Sequence, residues 1–203
     1  MRSLLPLLLL LGCATTIADA PLLPFANRVV SFTPGPGGTY GQAKMPGVVL
    51  GPPEGAGSDA GGLDVVSLGT SGTIVVAFDG MQIVDQPGPD FIVFENAFPG
   101  WQEIGVVAVS EDGVTWHEFP CAWQDKAHDY PGCAGVRAVL ANAENGVDAT
   151  DVTRAGGDAF DLADVTVTTA RFVRIRDSGH NPKDPPGAGF DLDAVAVIHR
   201  VLE

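Results

Sequence analysis

Acidic residues at short spacing are the part of this sequence best suited to chemistry. Asp191 and Asp193 are separated by one residue, and the apolar residues Val195 and Val197 continue the same alternation. Because side chains alternate along a β-strand, both carboxylates would share one face, roughly 7 Å apart, at the rim of the core that the valines enter. A bound cation would offset the cost of removing these carboxylates from water. The spacing therefore predicts metal ligands, and calcium suits a set made of oxygen atoms alone.

A second group of acids lies between Asn145 and Asp161, with Arg154 as the one basic residue among them. Its aspartates are further candidate calcium ligands: Asp148, Asp151, Asp158 and Asp161. The alternative is that each of them caps a turn or stays solvated, because aspartate readily accepts hydrogen bonds from nearby backbone N–H groups. The spacing is not that of an EF-hand, since the Asp-x-Asp-x-Asp-Gly pattern and the closing glutamate are absent.

The apolar run 91–94 is bracketed by polar residues, with Asp90 before it and Glu95 and Asn96 after it. Such a run is too short for a helix and has the length of a buried strand. Glu95 and Asn96 would complete a calcium site if this strand end lies beside either acidic group. The sequence thus predicts metal where strands leave the core.

Catalysis has less support from the sequence. The four histidines stand in no nucleophile or metal motif, and no Gly-x-Ser-x-Gly turn occurs. Asp158 and Asp161 could serve a glycan hydrolase, but residues so close in sequence rarely face each other across a substrate. We therefore assign no catalytic residue and keep an extracellular hydrolase that uses the acidic group as an alternative.

Three aromatic residues in predicted loops are candidate ligand contacts: Trp101, Trp123 and Tyr130. Aromatic rings stack on sugar faces, but they equally act as lids over the end of a sandwich. Both interpretations stay open for each ring.

The elements that must position these residues are short β-strands. Runs rich in β-branched and aromatic residues alternate with Gly, Pro, Asn and Asp, which predicts strands at 28–32, 48–50, 63–68, 73–78, 91–94, 105–110, 114–119, 165–168, 172–176 and 190–198. Glu111-Asp-Gly113 between two alternating runs predicts a tight hairpin. No amphipathic helix is evident. The sequence predicts an all-β, antiparallel sandwich.

The hairpin Val109-Ser-Glu-Asp-Gly-Val-Thr-Trp116, followed by Ala170-Arg-Phe-Val-Arg-Ile-Arg176, resembles galactose-binding-like jelly rolls of the discoidin (F5/8 type C) group. Carbohydrate-binding modules share this fold. The wider pattern from Leu63 to Val197 resembles a group of bacterial cell-surface lipoproteins with no secure activity. The chain lacks the terminal disulfide framework of discoidin domains, so binding to membrane lipid is not carried over.

The resemblance implies a jelly roll with a structural calcium near its terminal strands, and a core position for Trp116. With the loop aromatics, it favours a binding module for a glycan or a surface protein. A purely structural component of the cell envelope is a further hypothesis.

The N-terminus predicts export. Leu-rich residues 1–12 read as a lipoprotein signal peptide that ends in Leu10-Leu11-Gly12-Cys13, similar to a bacterial lipobox. Cys13 would carry the lipid, residues 13–26 would form a tether, and 27–203 a single sandwich domain. The alternative is ordinary cleavage after Ala18-Asp19-Ala20. The predicted location is the outer membrane or cell surface.

Cysteine content and charge agree with export. Cys121 and Cys133 remain as an even pair in an oxidising compartment, which predicts a disulfide. The net charge of −14 argues against nucleic acid or an anionic membrane surface as a direct partner. Contact with the membrane is expected only through the lipid anchor.

Overall fold

The computed structural model describes residues 21–181 and 189–203, so the predicted signal peptide and Cys13 lie outside the described residues. The described chain folds into twelve short strands, Arg28–Thr33 (β1), Val66–Ser67 (β2), Thr73–Ala77 (β3), Met81–Val84 (β4), Phe91–Glu95 (β5), Gly105–Ser110 (β6), His117–Glu118 (β7), Asp158–Phe160 (β8), Thr169–Ala170 (β9), Phe172–Asp177 (β10), Asp191–Val197 (β11) and Arg200–Leu202 (β12). Its helical segments are 3-10 turns at Gln42–Lys44, Gly47–Val49, Lys126–His128 and Leu162–Val165. No helix within the described ranges has the length and apolar character needed to cross a bilayer.

The strands form three antiparallel sheets. A five-stranded sheet has the order β1-β3-β10-β6-β7, a four-stranded sheet the order β2-β11-β5-β8, and a three-stranded sheet the order β12-β4-β9. This confirms the prediction of an all-β antiparallel sandwich. The last residues of the segment predicted as a tether also join the sheets, since Phe25 bridges to Ala196 of β11.

The main core lies between the five-stranded and four-stranded sheets. The alternation predicted for β10 is present, with Val173 and Ile175 buried and Arg174 and Arg176 on the half-exposed face. Val173 and Ile175 share one apolar cluster with Val93 of β5 and other residues of the four-stranded sheet. Burial of these β-branched side chains against the facing sheet stabilises the sandwich.

Both faces of β5 are covered, which explains why the strand is apolar throughout. Phe91 and Val93 belong to the main core, whereas Ile92 and Phe94 pack in a second cluster with Val139 and other residues of the long segment between β7 and β8. All five residues of β5 are buried. The four-stranded sheet is therefore an inner layer, and its strand ends open into loops that carry the acids.

Several predicted elements differ from the structure. Residues 47–49 form a 3-10 turn rather than a strand, and residues 162–165 form another where a strand was predicted from 165. The predicted strands did not include β4, β8 or β12. Trp116 is half-buried rather than a core residue, since its ring lies under the Arg174 guanidinium, 4.6 Å from the centroid.

Candidate functional site

The acids that bracket β5 meet different partners at its two ends. At the N-terminal end, Asp90 lies with Asp85 and Asp161, and one carboxylate oxygen from each lies within 4.8 Å of the others. Such a triad could hold a metal ion, because three carboxylates converge on one point. We refer to Asp85, Asp90 and Asp161 as the Asp90 triad.

Protein donors already satisfy much of the Asp90 triad. The buried carboxylate of Asp90 accepts from the backbone N–H of Gln86 at 3.0 Å and of Leu162 at 2.8 Å, and it lies 2.9 Å from Nδ1 of His199. Asp161 caps the 3-10 turn that follows it by accepting from the N–H of Ala163. A metal ion is therefore compatible with the triad, but the fold of this strand end does not depend on one.

The C-terminal end of β5 brings together three of the predicted metal ligands: Glu95, Asn96 and Asp191. The N–H of Asp191 donates to Oε1 of Glu95 at 3.4 Å, and the Asn96 amide donates to Oδ2 of Asp191 at 3.4 Å. Ser67 is the cross-strand neighbour of Asp191 in the pairing of β2 with β11. We refer to Ser67, Glu95, Asn96 and Asp191 as the Glu95 cluster.

Three oxygen atoms of the Glu95 cluster are buried without a hydrogen-bond partner: Oγ of Ser67, Oε2 of Glu95 and Oδ1 of Asp191. Glu95 is 1% exposed. The Ser67 hydroxyl lies close enough to the Asp191 carboxylate to lower its pKa, although no hydrogen bond of normal geometry joins them. Buried carboxylate oxygens are rarely left in this state, because they lose hydration without compensation.

In the Glu95 cluster, burial and neighbouring charges disfavour the ionised forms of both Glu95 and Asp191. Burial, together with the charges of Asp191 and Glu103, raises the pKa of Glu95 well above its ordinary value. Burial also raises the pKa of Asp191 to about 6, and the charge of Asp177 contributes to the shift. Four acids thus influence one another at the start of β11.

The alternation predicted to run from Asp191 through Asp193 to Val195 and Val197 is interrupted in the structure. A bulge interrupts the pairing of β11 with β5 between Leu192 and Ala194, so Leu192 joins Val195 in the main core and the strict alternation is lost. Asp193 instead accepts from the N–H of Glu54 through both carboxylate oxygens, at 3.0 and 3.1 Å. Its burial raises its pKa to about 8.

The remaining predicted ligands are dispersed. Asp148 and Asp151 accept hydrogen bonds from the backbone and hydroxyl groups of Thr150 and Thr153, as turn-forming aspartates do. Asp158 accepts from the N–H groups of three residues in the segment before β8, at 2.8, 2.9 and 3.5 Å. Burial raises the pKa of Asp158 to about 6.

A disulfide joins Cys121 to Cys133 and confirms the predicted pairing. The closed loop carries both Trp123 and Tyr130 to one cavity of about 230 Å³. The other residues that line this cavity are Ile104, Gln124, Lys126, Ser178 and His180. The rings of Trp123 and His180 stack with their centroids 3.8 Å apart. We call this space the disulfide-loop cavity.

Two further cavities adjoin these residues. Trp123, Ser178 and His180 also line a space of about 220 Å³ that reaches Glu118 and Arg176 on the five-stranded sheet. Tyr130 also borders a larger cavity of about 730 Å³, whose polar lining includes Gln102, Arg137 and Asp158. Aromatic and polar groups are therefore interleaved around the loop.

Trp101, the third predicted aromatic contact, lies elsewhere. It pairs with Phe98 through two backbone hydrogen bonds in the loop after β5, and the two rings stack with a centroid distance of 6.1 Å. Trp101 is absent from the lining of the three cavities near the disulfide. The structure thus separates Trp101 from Trp123 and Tyr130.

Sequence reasoning missed several residues at these places. Ser67 and His180 carry no motif, and only the folding of distant segments brings them to the acids or to Trp123. Asp85 is close to Asp90 in the sequence, but it carries no motif either. Asp90 could have been predicted, because it directly precedes the apolar run 91–94, and Glu95 at the other end of that run was a predicted ligand.

Comparisons with known proteins add no assignment. No protein-family model matches the chain, and a search of curated proteins finds no significant match.

Proposed function

We propose that this chain is an exported binding module that recognises a glycan at the disulfide-loop cavity. The observation that supports this proposal is the convergence of Trp123 and Tyr130 on one cavity beside Gln124, Lys126 and His180. Sugars present apolar C–H faces and many hydroxyl groups, so their sites combine aromatic rings with polar side chains.

The stacked pair defines how a sugar could approach. His180 covers one face of the Trp123 ring at 3.8 Å, so a sugar must use the opposite face or the ring edge. Lys126 and Ser178 offer hydrogen-bonding groups beside that ring. Arg176 lines the adjoining cavity, 3.7 Å from the Glu118 carboxylate, and its remaining N–H donors suit a glycan that carries carboxylate groups.

The proposal includes a galactose-binding-like jelly roll, a lipid anchor at Cys13 and a structural calcium ion. The antiparallel sandwich is compatible with this fold type, and the Asp90 triad offers converging carboxylates for a cation. The anchor would hold the module at the outer membrane or cell surface. In that setting a surface protein is the competing ligand, and a structural envelope role would require neither ligand.

A glycan hydrolase is the second candidate, and Asp158 is the observation that favours it. Its carboxyl group has a pKa raised to about 6 and lines the largest of the three cavities, as a general acid would. Binding without turnover supports the module, whereas release of new reducing ends that is lost in Asp158→Asn would support the hydrolase.

The deciding experiment measures binding of the purified chain to an array of neutral and uronate-containing glycans, with calcium present or chelated. For a glycan that binds, we expect Trp123→Ala to weaken binding at least about tenfold, or about 1.4 kcal/mol. Trp101→Ala is the matched control, because it removes the same ring type outside the three cavities.

Equal affinity in Trp123→Ala and the wild type would overturn the proposed site. Absence of binding to every glycan on the array, by protein of native secondary structure, would overturn glycan recognition and leave the surface protein or structural role.

A further inference from the structure

The geometry points to a second metal site, a calcium ion held by Glu95, Asp191 and Ser67. This site lies where β2 and β5 end and β11 begins. This inference rests on the proposed function only in that both invoke calcium as a structural ion. It differs in place, because the Asp90 triad lies at the opposite end of β5.

Three buried oxygen atoms of the Glu95 cluster have no hydrogen-bond partner. Oε2 of Glu95, Oδ1 of Asp191 and Oγ of Ser67 are each buried, and none accepts or donates a hydrogen bond. They belong to neighbouring positions, since Asp191 pairs with Ser67 and the next residue, Leu192, pairs with Glu95. A cation bound by all three would compensate the lost hydration of each atom.

The Glu95 cluster also lies in a local excess of negative charge. Asp191 and Glu103 both act electrostatically on Glu95, and Asp177 acts on Asp191. The ion pairs found among the described Lys, Arg and His residues use other acids, and none reaches Glu95 or Asp191. A divalent cation would turn this mutual repulsion into attraction.

Ligand chemistry favours calcium. The orphaned atoms are two carboxylate oxygens and one hydroxyl oxygen, a hard set with no sulfur or imidazole member. Calcium takes six to eight oxygen ligands and tolerates irregular geometry, which suits ligands drawn from three strands. Zinc prefers nitrogen and sulfur ligands in a tetrahedral arrangement.

Asp177 differs from Glu95 and Asp191 in the number of protein groups that donate hydrogen bonds to its carboxylate. Asp177 accepts four hydrogen bonds, from the N–H groups of Ser71, Gly179 and Phe190 and from the amide of Asn181. Both carboxylate oxygens of Asp177 therefore have protein donors. In the Glu95 cluster, three buried oxygen atoms have no donor among the described residues, so the ion is inferred there and not at Asp177.

A cation at the Glu95 cluster would also brace the proposed glycan site. Phe190, next to Asp191, donates to Asp177, which holds Asn181. Asn181 in turn accepts from the N–H of Ile104, which lines the disulfide-loop cavity. Loss of the ion would loosen one wall of that cavity.

The test uses the full chain, stripped with EGTA and shown to be metal-free by elemental analysis. We expect titration with calcium to show saturable binding and to raise Tm by roughly 5–10 °C at about 100 times Kd. Glu95→Gln and Asp191→Asn should each lose most of this shift. Asp164→Asn, at an exposed acid outside both the Glu95 cluster and the Asp90 triad, should keep it and serves as the matched control.

A second readout separates a metal ligand from a merely structural acid. Because Glu95→Gln removes a repelling charge, the metal-free variant should be at least as stable as the metal-free wild type, yet gain nothing from calcium. Ser67→Ala should leave the metal-free Tm within about 2 °C and weaken calcium binding several-fold, which tests the site even if the acid variants fold poorly.

Each remaining outcome decides between the two ideas. A calcium shift that is lost in Asp161→Asn but kept in Glu95→Gln and Ser67→Ala would overturn this inference and support calcium at the triad alone. A Tm unaffected by calcium in metal-free protein would overturn both calcium sites. Glycan recognition is tested separately, by comparing the glycan affinity of Trp123→Ala with that of the wild type.

Discussion

Asp90 and His199 are joined by two contacts beside the pairing of β5 with β11, and Ile198 adds a third contact to Asp90. The Asp90 carboxylate lies 2.9 Å from Nδ1 of the His199 ring, and the Asp90 carbonyl accepts from the backbone N–H groups of His199 at 3.2 Å and Ile198 at 2.8 Å. This contact fastens the start of β5 to the residues that follow β11. The same strand ends at Glu95, whose Oε2 has no partner. One strand therefore carries one acid that protein donors compensate and one that they do not.

Asp90→Ala should destabilise the fold severely. The substitution leaves the backbone N–H groups of Gln86 and Leu162 buried or half-buried without an acceptor, and each such loss costs about 1–3 kcal/mol. We expect the free energy of unfolding to fall by about 3 kcal/mol or more, measured by urea denaturation. Asp164→Ala, at an exposed acid in the neighbouring 3-10 turn, should change it by less than about 0.5 kcal/mol. Similar losses in both variants would contradict the role assigned to Asp90.

The main strands were predictable because their patterns are local. The strand at Gly105–Ser110 matches its prediction, and β10 shows the predicted alternation of buried and half-exposed residues. The turn at 47–49 was misread because its apolar residues, Val48 and Val49, are buried without belonging to a sheet. A local pattern of apolar residues predicts that they are buried, but it does not predict which part of the chain packs against them.

The candidate sites were less predictable, because they depend on long-range register. A single bulge between Leu192 and Ala194 breaks the alternation along β11, and no residue pattern in this segment predicts the extra residue. Ser67 reaches Asp191 only because β2 pairs with β11. The predicted ligands Glu95, Asn96 and Asp191 do lie together, since each ends or begins a strand of the same sheet.

Removal of the disulfide should affect both stability and the cavity. Cys121 and Cys133 close a loop with a sequence separation of 12, and chain entropy gives such a link about 3 kcal/mol. We expect Cys121→Ser/Cys133→Ser to lose about 2–4 kcal/mol in urea denaturation and to weaken any glycan binding that needs Trp123. Thiol labelling of the unreduced, denatured wild type should find neither cysteine reactive. A double variant as stable as the wild type would refute the stabilising role.

Stability should depend on pH through Asp158. Burial raises the pKa of this carboxyl group from 3.8 to about 6, so between these values the folded state binds the proton more tightly than the unfolded state. The free energy of unfolding should therefore fall as pH rises from about 4 to about 6, by up to about 3 kcal/mol from this group. Other buried acids shift in the same direction, so the measurement compares metal-free wild type with Asp158→Asn at each pH. A difference between the two proteins that stays constant from pH 4 to pH 7 would rule out this contribution.

Gly157→Ala should be far more damaging than Gly146→Ala, although both glycines have φ of 70°. The shared positive φ costs an alanine on the order of 1 kcal/mol at either position. At Gly157 a Cβ atom would also lie 2.6 Å from Cδ1 of Phe94 and 2.9 Å from Cγ2 of Ile92, both packed on the outer face of β5, whereas Gly146 has no neighbour within 4 Å. We expect an additional loss of about 1–3 kcal/mol at Gly157 from overpacking, measured by urea denaturation of the two variants side by side. Equal losses would mean that the segment before β8 can move away from β5 without cost. The position of Asp158 beside its three N–H donors would then not be fixed by this contact.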